Sequence, residues 1–130
     1  MLTKVGLFFV TAFVFLENAQ GKDLILCPHP GQAKNLVYEN TINTPMQGSS
    51  IVARIPDVYF LDSPMTCLCV LDNNDGVSQP VISDGGLDVK YAIVNILNED
   101  YNYLSYTIRA YTADEGNSGS VHSESHPCSK

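Results

Sequence analysis

The stretch GGLDVKYAIVNILNEDYNYLSYTIRAY, Gly85 to Tyr111, contains two strand-like runs joined by a short polar break. Side chains alternate between faces along a β-strand. From Val89 to Leu97 this puts Ala92, Val94 and Ile96 on one face and Val89, Tyr91, Ile93 and Leu97 on the other. Both faces are apolar, the pattern of a strand covered on both sides, by a core on one and by a loop or partner on the other. From Tyr103 to Tyr111 the alternation is cleaner, with Leu104, Tyr106, Ile108 and Ala110 opposed to Ser105, Thr107 and Arg109. Asn98, Glu99 and Asp100 are turn formers. The pattern predicts a β-hairpin at the centre of the fold.

Upstream, Met65 to Leu71 reads as a further strong strand, with Thr66, Leu68 and Val70 on one face and Met65, Cys67, Cys69 and Leu71 on the other. Asp72-Asn73-Asn74-Asp75-Gly76 ends it as a hairpin turn. Shorter strands are predicted at Lys34 to Asn40, Ile51 to Ile55, Val58 to Leu61 and Val77 to Ile82, with a turn at Ser83 to Gly86. Pro80 interrupts the last run, and Pro56 separates Ile51 to Ile55 from Val58 to Leu61, which read as two short strands or as one edge strand with a bulge. No apolar period of 3.6 residues extends over any segment after residue 21, so almost no helix is expected. The expectation is a small all-β antiparallel sandwich or barrel of about six to eight short strands.

Lys4, an uncharged run from Val5 to Leu16, and the small residues Ala19 and Gly21 form a secretory signal peptide, with cleavage predicted after Gly21. The run is shorter than the roughly 20 residues of a membrane-spanning helix. Residues 22–112 then form one sandwich domain, and residues 113–130 a polar tail tethered by Cys128. The net charge is −7, and removal of Lys4 and Glu17 with the leader leaves it unchanged. Such a surface repels phosphate backbones and anionic lipid, which excludes direct nucleic-acid binding and membrane attachment after cleavage.

The cysteines, Cys27, Cys67, Cys69 and Cys128, all lie after the leader. An even number in an exported domain reads as disulfides. A bond between Cys67 and Cys69 would be strained along an extended backbone. Two pairings stay open: Cys27 to Cys67 with Cys69 to Cys128, or Cys27 to Cys69 with Cys67 to Cys128. Either one ties both chain ends to one strand.

Candidate chemistry is sparse. Gly116-Asn117-Ser118-Gly119-Ser120 resembles the nucleophile loop of chymotrypsin-like proteases, but the chain is too short for that double-barrel fold and His29 sits in a proline-flanked arm. His122, His126, His29 and Cys128 are donors that zinc favours. The spacing of His122 and His126 gathers ligands only on a helix, which Ser123, Ser125 and Pro127 disfavour. Asp72 to Gly76, with Asp84 and Asp88, invites a calcium reading but lacks the alternating ligand spacing of an EF-hand loop. No catalytic residue, metal or cofactor is therefore expected. Tyr106 shares the inward face of its run, whereas Tyr101 and Tyr103 fall near the predicted turn and are the candidate contact residues.

From Met65 to Tyr111 the chain resembles the arthropod family named after the second multiprotein bridging factor, a silkworm transcription activator, which also takes in the response-to-pathogen proteins of moth larvae. The resemblance rests on Thr66, Leu68, Val70 and Asp72, on Gly85-Gly86, and on Ala92, Val94, Ile96 followed by Leu104, Tyr106, Ile108, Ala110 and Tyr111. It departs at Asp88, where the family has glycine, and at Tyr101 and Tyr103, where it has small residues. The resemblance implies a small β-rich protein without catalytic residues. The family name implies transcriptional co-activation by bridging other proteins, whereas the leader and cysteines imply export. The expected function is a secreted, non-enzymatic binding protein of gut, saliva or immune response, with a protein or small-molecule ligand. Co-activation is the alternative, and a small secreted hydrolase a distant one. An exposed apolar face on Val89 to Leu97 would add homo-oligomerisation.

Overall fold

The computed structural model describes residues 23–114 and 125–130. It contains β1 (Leu24–Leu26), a 3-10 turn (Pro30–Gln32), β2 (Asn35–Asn43), β3 (Ile51–Ile55), β4 (Met65–Asp72), β5 (Pro80–Gly85), β6 (Ala92–Ile96) and β7 (Ser105–Thr112). One sheet has the order β1-β4-β7-β2 and the other β3-β6-β5. Every strand pair is antiparallel. The protein is an all-β sandwich.

The core lies between the sheets. Ile51, Ala53, Ile55, Ala92, Val94 and Ile96 come from the three-stranded sheet and Leu68, Val70, Tyr106, Ile108 and Ala110 from the four-stranded one. The two strongest runs of the sequence thus face each other, but not as a hairpin. β6 and β7 belong to different sheets, and the segment between them crosses the end of the sandwich. A hairpin would set both apolar faces side by side and leave them needing the same cover; the crossing lets each cover the other. The connecting segment also lacks the glycine of a tight turn and places Tyr101 at φ 55°. Asp72 to Gly76 likewise crosses between sheets, from β4 to β5, instead of closing a hairpin.

Among the described strands, only β5 and β6 both follow one another and pair. Gly85 and Gly86 make their bend. Gly85 has φ 69°, and a Cβ there would collide with the Tyr91 carbonyl. Gly86 N–H donates to that carbonyl at 2.9 Å. Residues Ser83 to Gly85 are therefore the end of a strand, not a turn. β6 begins only at Ala92, and its outward residues Ile93 and Asn95 are half-buried, between exposed Val52 of β3 and Val81 of β5. Cover on both faces, expected for β6, is found on β4.

β4 is buried on both sides. Leu68 and Val70 enter the core, while Cys67, Cys69 and Leu71 form a second cluster on the outer face with Tyr111, Ala33 and Cys128. A register shift between Met65 and Cys67 moves Met65 inward to the core. Thr66 instead donates to Gln32 O at 2.8 Å, which reverses the faces that simple alternation assigns to these two residues. The disulfides are Cys27–Cys67 and Cys69–Cys128. They span 40 and 59 residues, for which chain entropy gives roughly 4 kcal/mol each. Beyond Cys128, Arg109 donates to Ser129 O at 2.7 Å and Lys130 to Asp72 O at 2.7 Å, so the C-terminus lies across the same face.

Ile108→Ala should lower the unfolding free energy by about 2–5 kcal/mol, and Val52→Ala should change it by no more than about 0.5 kcal/mol. Urea unfolding under non-reducing conditions measures both.

Candidate functional site

Val58 to Leu61, expected as a strand, belongs with Pro56 and Asp57 to a loop between β3 and β4. It is fixed at both ends. Arg54 donates to Pro56 O at 2.8 Å, and Tyr38 O–H donates to Asp57 Oδ1 at 3.3 Å. Leu61 N–H donates to Lys90 O at 2.8 Å, and the Leu61 side chain packs against the core. Ser63 O–H donates to the Asp114 carboxylate. Between these anchors the backbone turns outward through Tyr59, at φ 60°, a conformation uncommon for a bulky residue. Such strain gathers at sites of function and is maintained only by surrounding anchors.

The result is three consecutive large apolar side chains facing solvent: Val58 65%, Tyr59 83% and Phe60 62% exposed. Isolated exposed apolar residues are ordinary, but a contiguous set marks a contact surface. Phe60 is oriented from behind by the Arg54 guanidinium, 5.3 Å from its ring centroid, and by an edge contact with Tyr91 at 5.6 Å. Tyr91 is in turn bound to Asp84, which pushes its phenol above the usual tyrosine value.

Beside the loop lies a cleft of about 430 Å³, walled by Asn35 and Val37 of β2, by Pro56 and Val58 to Ser63, and by Thr112 and Asp114. A bulge in β2 between Leu36 and Tyr38 makes this wall. It sets Val37 and Tyr38 both against the core, where strict alternation would turn one of them away. The cleft therefore combines apolar lining from Val37, Val58, Phe60 and Leu61 with the carboxylates of Asp62 and Asp114. This arrangement suits association, with an aromatic anchor beside a preformed hollow. Nothing in the sequence pattern singled out Val58, Tyr59 and Phe60 as exposed. The one available signal was their bracketing by Pro56-Asp57 and Asp62-Ser63-Pro64.

Tyr101 and Tyr103, the contact residues expected from sequence, lie at the opposite end of the sandwich. They are 73% and 53% exposed. Tyr101 rests on Gly48, where a Cβ would come within 2.6 Å of its ring. Asn98 ties this end together, its side chain donating to Ser49 O at 3.0 Å and Asn102 O at 2.7 Å. The two tyrosines are outside the cleft and form no part of its lining.

Asp72, the cysteines and His126 have structural partners. Asp72 spends both carboxylate oxygens on its own loop, accepting from Asn74 N–H at 2.8 Å and Gly76 N–H at 2.9 Å. It also lies near Tyr106, whose buried phenol donates to Ser78 O at 3.2 Å. Burial, and then the Asp72 charge, push that phenol well above the ordinary tyrosine range. Cys27, Cys67 and Cys128 present their sulfurs within 4.8 Å of one another, but all four cysteines are oxidised. His126 Nδ1 accepts from Cys128 N–H at 3.0 Å, and His29 is exposed beside the 3-10 turn. His122 and the Gly116 to Ser120 loop lie outside the described residues.

Comparison of the chain with protein-family models, curated proteins and solved structures finds no match. What the fold and site define is a class, a disulfide-clamped β-sandwich that presents an anchored apolar loop beside a cleft.

The Tyr106 environment gives a pH prediction. The folded state keeps this proton to higher pH than the unfolded chain, whose tyrosines titrate near about 10. Its stabilisation is thus fully present below about pH 10 and is lost as pH rises from there toward the folded value. Urea midpoints, measured with disulfides intact, should fall above about pH 10, and Tyr106→Phe should make that fall shallower.

Proposed function

We propose that this is an exported, non-enzymatic binding protein that engages its partner through the Val58-Tyr59-Phe60 loop and the adjoining cleft. The observation that carries the reading is the loop itself. Exposing three apolar side chains costs solvation free energy that a turn of polar residues would avoid. Anchoring them at Pro56, Asp57, Leu61 and Ser63 lowers the conformational entropy lost when a partner arrives. The two closed disulfides belong to an oxidising compartment, and they favour export over a nuclear, transcriptional role. No helix among the described residues is long and apolar enough to cross a membrane. The resemblance to the bridging-factor and response-to-pathogen proteins supplies the setting, contact with host or microbial molecules in gut, saliva or haemolymph.

The test uses protein recovered from insect-cell medium, labelled and cross-linked in arthropod haemolymph or to washed bacterial cells. Wild type should bind saturably, and the Tyr59→Ser/Phe60→Ser double variant should bind at least about tenfold more weakly while unfolding at the same temperature. Equal binding by the two, or full-length protein confined to the lysate with free thiols, would overturn the reading.

A further inference from the structure

We infer that the cleft and the free edge of β2 form one groove for an extended, basic polypeptide segment, which adds to β2 as a further strand and sets an apolar side chain against Tyr59 and Phe60. This deepens the binding reading above and rests on it.

Among the described residues β2 is an outer strand, paired on one side with β7 only. Thr44 N–H donates toward β7, to Leu104 O at 2.9 Å. In an antiparallel ladder the inward-pointing backbone groups recur at every second residue. Glu39, Thr41 and Asn43 therefore turn their N–H and C=O groups to the free edge, and all three residues are exposed. Proteins ordinarily blunt such an edge with lysine, proline or a short strand. β2 runs from Asn35 to Asn43 with neither lysine nor proline, and its one irregularity, the bulge at Val37, forms the wall of the cleft. The edge leads directly into the hollow.

Charge selects the occupant. Asp62 and Asp114 line the groove, neither has a salt-bridge partner among the described residues, and the described lining includes no Lys, Arg or His. A second copy of this chain, at net charge −7, would bring like carboxylates together. A segment with Lys or Arg alternating with apolar residues would instead pair its cations with Asp62 and Asp114 and donate its backbone to β2. Main-chain bonding of this kind supplies affinity, and pockets for alternate side chains supply specificity. Arg54 over Phe60 already shows this ring accepting a guanidinium.

The test is an NMR titration of isotope-labelled full chain with three synthetic peptides. The first alternates lysine with valine around a central phenylalanine, the second replaces each lysine by glutamate, and the third is the lysine peptide methylated on alternate backbone nitrogens. The lysine peptide should shift the amides of Glu39, Thr41 and Asn43 together with those of Val58 to Phe60. The glutamate and N-methylated peptides should bind at least about tenfold more weakly. If the N-methylated peptide binds equally and shifts only the loop, strand addition is overturned while the loop stays a contact surface. Absence of shifts with the lysine peptide, or equal binding of the glutamate peptide, overturns the basic-segment inference. Haemolymph or cell cross-linking by the loop would then still stand or fall separately. Thr41→Pro, whose lost N–H faces the free edge and not the ladder, should abolish β2 shifts in a chain whose dispersed spectrum shows it folded.

Discussion

β4 is the constraint on which the rest of the structure depends. It is buried on both faces, by Leu68 and Val70 toward the opposing sheet and by Cys67, Cys69 and Leu71 toward the chain ends. A strand in an antiparallel sandwich ordinarily needs cover on one side only. Here the second cover is covalent. Cys27 brings the N-terminal arm, and with it β1, onto β4, and Cys128 brings the C-terminus onto the same face. A domain of this size buries a modest core, so restriction of the unfolded chain by two long loops is a large share of its stability.

With β4 and β7 fixed in register, the ends of the sandwich are free to carry loops of different character. At one end Asn98 knits the β2–β3 and β6–β7 segments together, and Tyr101 lies over Gly48. At the other, the β3–β4 loop is anchored at its ends and apolar at its tip, beside a bulged edge strand. The anchored ends and the exposed tip are the features on which the proposed binding role rests. Flexible apolar residues there would collapse onto the core or promote aggregation.

The alternation of Ala92, Val94, Ile96 and of Leu104, Tyr106, Ile108, Ala110 identified the core faces from sequence, because period-two patterning reports which side of a strand is covered. It does not report by what. The pairing of β6 with β5 and of β7 with β4 depends on contacts distant in sequence, so two consecutive apolar strands read as a hairpin when they are an arch. Met65 and Thr66 exchange faces through a bulge that leaves no mark on composition. The cysteines predicted a tether but not its pairing, since Cys67 Sγ lies 3.8 Å from both Cys69 Sγ and Cys128 Sγ and the four sulfurs occupy one cluster. The candidate site was the least legible part. Val58 to Leu61 has the composition of a strand, and only tertiary anchoring at Asp57, Leu61 and Ser63 turns Val58, Tyr59 and Phe60 outward.

The most direct measurement is disulfide mapping of the chain secreted by insect cells, by non-reducing digestion and mass spectrometry with fragmentation between Cys67 and Cys69. The account predicts Cys27 linked to Cys67 and Cys69 linked to Cys128, in protein recovered from the medium. A Cys27 to Cys69 linkage would contradict the pairing, and alkylation of any of the four cysteines without reduction would contradict the clamp itself.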